Sequence, residues 1–137
     1  MSSNIQKLSL AAKKENLSQV ISFIEACLES LDCPPKASMQ INIAVEEIFV
    51  NVASYAYGSE EGDVTISVDA EPDSISIVFE DSGIPYDPLK KPDPDITLSV
   101  EKRAIGGLGI FMTKKMMDDM LYEYKDGMNI LTLKKYY

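Results

Sequence analysis

The chain has 137 residues, 45% hydrophobic and 26% charged, which suits one soluble globular domain with a single hydrophobic core. Its 22 acids and 13 bases leave a formal charge of −9, which argues against general attraction to nucleic acid or an anionic membrane surface. No histidine is present, which excludes Ser-His and Cys-His nucleophile pairs, histidine-ligated metals and a phosphoacceptor histidine within the chain.

Cys27 and Cys33 fit no CxxC or zinc spacing and read as two reduced thiols. No apolar run approaches the ~20 residues that span a bilayer. The N-terminal stretch MSSNIQKLSLAAKKEN has no apolar signal-peptide core, so a cytoplasmic location is expected. Residues 5–11 form a weakly alternating first strand. Leu17, Val20, Ile21, Ile24, Cys27, Leu28 and Leu31 then recur at spacings of three and four, which predicts an amphipathic helix with Asn16 as its N-cap and Cys33-Pro34-Pro35 as its end. A second helix is expected from about Pro35 to Tyr57, closed by Gly58. VTISV at 64–68 and SISIVFE at 74–80 alternate as two strands of a hairpin turning at Glu71-Pro72-Asp73. A long polar stretch follows, then a helix over 107–119, and a closing hairpin of LYEY and MNILTLKK about Lys125-Asp126-Gly127. The order predicts a single α+β domain over 1–137, a two-layer sandwich with a mixed, mostly antiparallel sheet.

At about 100° per residue, with Ile41 at zero, Ala44, Val45, Ile48, Val52 and Tyr55 fall within roughly 60° and define the core face of the second helix. Glu47 and Asn51 stack one turn apart on a flank at about 240° and 280°, whereas Glu46, at about 140°, points elsewhere. Ile43 and Val50 lie opposite the core face and require cover from the first helix or from a partner. A carboxamide oxygen is a hard ligand suited to Mg²⁺, and a carboxylate one turn away can accept a proton or orient a nucleophile. Judged on this segment alone, a surface Glu and Asn with no task is the commoner arrangement.

Asp81 ends a strand directly, so its carboxylate can sit at the floor of a cleft and accept a hydrogen bond from an exocyclic amine such as that of adenine. Gly83 permits close approach there and Pro85 fixes the exit, although Asp-Ser-Gly is also an ordinary turn. Gly106-Gly107-Leu108-Gly109 places backbone N–H groups at a helix start, a natural phosphate site, but it is neither a Walker A sequence nor a dinucleotide fingerprint. Lys102, Arg103, Lys114 and Lys115 lie nearby, either as phosphate partners or as solvated surface.

In order, Glu-x-x-x-Asn on a helix, Asp-x-Gly at a strand end and Gly-x-Gly at a helix start resemble the Bergerat-fold (GHKL) ATPases over nearly the whole chain from Ile41 onward. Within that group AVEEIFVNVASYAYG, DSGIPYDP and GGLGIFMTKKMMDDMLYEYKDGMNILTLKK look like the bacterial anti-sigma factor serine/threonine kinases, with Tyr86 where the pattern usually has Phe. The resemblance implies ATP and Mg²⁺ as cofactors, Glu47 as base, Asn51 as the Mg²⁺ ligand and Asp81 as the adenine acceptor. It gives Gly83 the role of making room for the ring, Gly107 and Gly109 that of bending the chain around the phosphates, and Thr132 a place lining the adenine pocket. It implies a lid over residues 86–105, an anti-sigma factor antagonist as protein substrate, a sigma factor as second partner, and compatibility with a homodimer. Two other readings stand beside it: a nucleotide-gated module that binds without phosphotransfer, and a histidine-kinase catalytic domain acting on another chain.

Overall fold

The computed structural model describes residues 4–57, 60–90 and 107–137. In chain order it contains β1 (Asn4–Ala11), a 3-10 turn (Lys14–Asn16), α1 (Leu17–Ser30), α2 (Pro35–Tyr55), β2 (Asp63–Glu71), β3 (Ser74–Asp81), a second 3-10 turn (Pro88–Lys90), α3 (Gly107–Met116), β4 (Asp119–Lys125) and β5 (Met128–Tyr136). The strands form one sheet in the order β1-β2-β3-β5-β4. The expected mostly antiparallel sheet is antiparallel at all four of its strand pairings.

Alternation decides which side of the sheet is covered. Val64, Ile66 and Val68 of β2, Ile75, Ile77 and Phe79 of β3, and Leu131 and Leu133 of β5 are buried on one face. The register sets Phe79 between Ile66 and Leu131, and Ile77 between Val68 and Leu133, so large side chains form cross-strand rows. Val20, Ile24, Cys27 and Leu28 of α1 and Ile41, Ala44, Val45 and Ile48 of α2 join these rows in one core. Phe49, which the angular reading left out of the core face, is fully buried as well. The buried arc of α2 is wider than a sheet alone requires because α1 and α3 both pack against it.

Local chemistry explains the helix ends. Asp32 takes a left-handed conformation (φ 54°) just beyond α1, with Cys33 N–H bonding to the Leu28 carbonyl and Asp32 N–H to that of Glu29. That is the paired pattern of a Schellman C-cap, in which Asp serves where Gly is commoner. Pro35 then occupies the first turn of α2, where its missing N–H costs nothing. Asn16 stands at the N-cap position of α1 as expected, but its side chain makes no capping hydrogen bond: its amide donates to the Ala11 carbonyl at 2.9 Å, because the 3-10 turn runs straight into the helix. α2 ends at Tyr55, one turn's fraction earlier than expected, and Gly58 lies outside the described residues. Asp126 and Gly127 both adopt positive φ (53° and 79°), the conformation a two-residue hairpin loop with matching twist demands.

The sheet order carries the functional consequence. The chain leaves β3 at Asp81, and its return strand β5 lies between β3 and the edge strand β4, so Asn129 pairs directly with Asp81. Truncating the centre of the core tests this architecture: Ile77→Ala should lose about 2–5 kcal/mol of stability in urea unfolding, whereas Lys7→Ala on exposed β1 should stay within about 0.5 kcal/mol of the parent.

Candidate functional site

The loop after β3 is held by a small polar network. Asp81 is 5% exposed, and its Oδ1 accepts the Gly83 N–H and the Asn129 Nδ2–H, each at 2.9 Å. The other carboxylate oxygen takes no hydrogen bond from the described residues. Asn129 also donates to the Ile84 carbonyl at 2.9 Å, while its Oδ1 accepts from Tyr86 N–H at 3.1 Å and from the Tyr122 hydroxyl. One buried amide thus joins β5, β4, the strand-end carboxylate and the loop, with its donors and acceptor all used.

Tyrosine hydroxyls brace both sides of this network. Tyr57, just past α2, donates to the Asp63 carbonyl and accepts the Ser82 N–H at 2.9 Å. Its pKa is raised by burial, pulled back by the Ser82 hydrogen bond and raised further by the charges of Asp81 and Asp63. Burial likewise raises Tyr122, its hydrogen bond with the Tyr86 backbone opposes this, and the charges of Asp87 and Asp81 add to the rise. Both phenols therefore remain neutral donors through the physiological range.

Gly83 is required by the helix beside it. A Cβ at this position would stand 2.1 Å from the Ala56 carbonyl oxygen, the same oxygen that accepts the Ile84 N–H at 2.8 Å. The glycine thus lets the loop dock on the end of α2, a reason distinct from the ring clearance expected of it. Thr132 needs a plain correction. On β5, Asn129, Leu131 and Leu133 point into the covered face, so by the two-residue period Thr132 points to the opposite one. Asn129, three residues earlier, takes the place expected of Thr132.

Two adjoining cavities lie beside this network. The first opens to solvent, and Asp81, Asn129, Phe79, Tyr122 and Ile84 contribute to its walls. The second, between the Lys14–Asn16 turn, α2 and the start of α3, is lined by Lys14, Glu47, Val50, Ser54 and Ile110. Asn51 and Tyr55 line both, so the two cavities adjoin along α2 as the two halves of one groove. The helical flank thus brings Glu47 and Asn51 together at one end, while the sheet puts Asp81 at the other. Tyr55, assigned to the core by angle, is 42% exposed and faces Tyr86 with ring centroids 6.2 Å apart. Gly107 is the first residue of α3 and Gly109 the third, and Ile110 is the α3 residue that reaches the groove among those described. Lys115 lies over the Phe111 ring, 5.3 Å from its centroid, while Lys102 and Arg103 fall outside the described residues, as does most of the expected 86–105 lid.

Asn51 and Glu47 offer hard oxygen donors of the kind Mg²⁺ accepts. Among the described residues no group of three or more Cys, Asp or Glu side chains is placed to hold a metal by itself. The donor set fits an ion that keeps several waters and completes its shell with phosphate oxygens.

The sequence pattern of the histidine kinase-like ATPase domain matches residues 10–135. The chain belongs to that family. It is 31% identical over 98 residues to the serine-protein kinase RsbW of Bacillus cereus (strain ATCC 10987 / NRS 248), covering 69% of this chain and 61% of that one. It is 28% identical over 104 residues to the serine-protein kinase RsbW of Listeria monocytogenes serovar 1/2a (strain ATCC BAA-679 / EGD-e), covering 72% and 66%. The chain thus spans about two thirds or less of these relatives' length. Among solved structures, the histidine kinase domain of the blue-light activated histidine kinase from Erythrobacter litoralis EL346 superposes with a TM-score of 0.56 over 90% of this chain and 60% of that one, at 14% identity, a likeness of fold. The family fold and the expected α+β sandwich agree, and no helix among the described residues is long and apolar enough to cross a membrane.

Two measurements probe the network. Asn129→Ala removes the amide's hydrogen bonds to the Asp81 carboxylate, the Ile84 carbonyl, the Tyr86 N–H and the Tyr122 hydroxyl, and should cost about 2–4 kcal/mol in denaturant unfolding, on the scale of one or two buried groups left unsatisfied. The raised phenols set an alkaline limit. Because the folded state holds these protons more tightly than the unfolded chain, stability is full below the ordinary tyrosine pKa of about 10 and falls as pH rises beyond it. A Tyr57→Phe, Tyr122→Phe double variant should show a shallower decline in urea midpoint above that pH than the parent.

Proposed function

We propose that the chain is an ATP-dependent protein serine/threonine kinase of the anti-sigma factor type, acting in the cytoplasm. The observation that carries this reading is the pair of adjoining cavities, sharing Asn51 and Tyr55, that sets a buried strand-end carboxylate at Asp81 beside the Glu47–Asn51 pair on α2. The family membership and the similarity to two serine-protein kinases support it.

In this reading adenine lies in the first cavity, with its exocyclic amine donating to the Asp81 oxygen that the network leaves open. The apolar walls from Phe79, Ile84 and Leu131 accept the flat ring. The phosphates run past Asn51 toward the start of α3 at Gly107 and Gly109, where backbone N–H groups favour anions. Mg²⁺, when bound, supplies charge neutralisation between phosphate oxygens, with Asn51 as its protein ligand.

The chain's own residues position and deprotonate. Glu47 takes the proton from a substrate serine or threonine hydroxyl as that oxygen bonds to the terminal phosphorus. The bond to the bridging oxygen breaks in the same step, and ADP leaves. Thr132 has no part in this arrangement. The protein substrate is an anti-sigma factor antagonist, and a sigma factor is the partner held when that substrate is absent. These assignments follow the resemblance of the 41–137 segment to anti-sigma factor kinases.

Separating binding from chemistry tests the roles. Glu47→Gln should keep ATP affinity within about twofold while reducing transfer of labelled phosphate to a co-purified partner by 10²-fold or more, the scale of a lost general base. Asn51→Ala should instead lose Mg-ATP binding. Normal ATP binding in both variants with unchanged transfer would overturn the site. ATP binding by the parent with no labelled Ser or Thr in any bound partner would favour a binding-only module.

A further inference from the structure

The groove needs a cation at its phosphate end, and of the bases read from sequence the two described ones, Lys114 and Lys115, do not line it. Lys115 is engaged with the Phe111 ring, and neither it nor Lys114 is among the residues lining the second cavity. With a chain charge of −9, a triphosphate cannot rely on the general field of the protein. One lysine from the other end of the sequence does line that cavity, together with Glu47 and Asn51: Lys14.

Hydrogen bonds hold the segment carrying Lys14 in place. Ala12 N–H bonds to the Gly62 carbonyl at 2.9 Å, Asn16 N–H to the Lys13 carbonyl at 2.9 Å, and the Asn16 amide to the Ala11 carbonyl at 2.9 Å. The side chain of the N-cap residue thus has a different task, which is to hold this turn against the end of β1. The adjacent Lys13 is committed to Glu61 at 3.1 Å, on the solvent side. Lys14 makes no ion pair with the described residues and leaves its ammonium available to the groove.

We propose that Lys14 binds the terminal phosphate of the nucleotide, so that the turn before α1 forms the third wall of the phosphoryl-transfer site. This rests on the nucleotide reading of the groove given above. The groove has a direction: Asp81 lies at one end, Asn51 and Tyr55 are shared, and Glu47 and Lys14 lie at the far end. An ammonium there meets the phosphate farthest from the base. It compensates the charge of Glu47 while the two act on the same group, one on phosphate oxygen and the other on the incoming hydroxyl. A point charge on a flexible stem suits a group whose oxygens move during transfer.

Position along the groove makes the test selective. ATP and ADP affinities of the full chain with Mg²⁺ are measured by calorimetry for the parent, Lys14→Ala, Lys14→Arg and Lys13→Ala, with thermal melting as a check on folding. Lys14→Ala should weaken ATP roughly tenfold or more, the scale of a hydrogen bond to a charged group, and ADP by less than about threefold. Lys14→Arg should restore most of the difference, and Lys13→Ala should match the parent. A parent that binds ATP while Lys14→Ala retains its ATP-to-ADP preference overturns the role of Lys14 and leaves the nucleotide reading standing. Equal loss for both nucleotides also overturns it. A parent that binds neither nucleotide overturns the reading and the proposal together.

Discussion

The hydrogen bond from the Asn129 amide to the Asp81 carboxylate is the joint on which the site depends. It links two neighbouring strands that are 48 residues apart in sequence, and the same amide holds the Ile84 carbonyl and the Tyr86 N–H of the loop. A buried carboxylate without donors is costly. Here the donors occupy one oxygen and direct the other, so that burial becomes orientation. The sheet order makes this contact possible, because only insertion of β5 beside β3 brings Asn129 to the strand end.

From that joint the remaining parts follow by packing. Gly83 brings the loop against Ala56, which ties the carboxylate end of the groove to the C-terminal end of α2. Tyr57 ties the same region to the start of β2. α2 is held on the sheet by Ile41, Ala44, Val45 and Ile48, so Glu47 and Asn51 are aimed by a buried face rather than by a loop. Rigid elements on either side leave a groove whose two ends are chemically different: an acceptor in an apolar cavity at one, and a carboxylate with a carboxamide and a lysine at the other. That division suits a ligand with an aromatic base and a charged tail.

Much of the fold was legible because its signals are periodic. Alternation in 64–68 and 74–80 marks β2 and β3, and three-four spacing marks α1 and α2. The angular placement of Glu47 and Asn51 held because helical geometry is local. What was not legible depends on pairing between distant segments. Asn129 looks like any polar residue in a strand until β5 is set beside β3. Thr132 was assigned by resemblance to a strand whose inward positions differ from it by one residue, and that single step turns a side chain to the other face. Lys14 carries no local mark, since its place in the groove follows from a turn docked through Gly62 and Ala11. Tyr55 has the angle of a core residue, yet it sits at the end of α2, beyond the reach of the sheet's apolar rows.

The central claim is that one groove, from Asp81 to Glu47, takes the nucleotide, and amide chemical-shift mapping of the full chain during titration with Mg-ATP tests it most directly. The account predicts saturable changes concentrated at Asp81, Ile84 and Asn129 at one end and at Asn51, Glu47 and Lys14 toward the other. Changes confined instead to the acidic cleft between α1 and α2, around Glu25, Asp32 and Asn42, would contradict it.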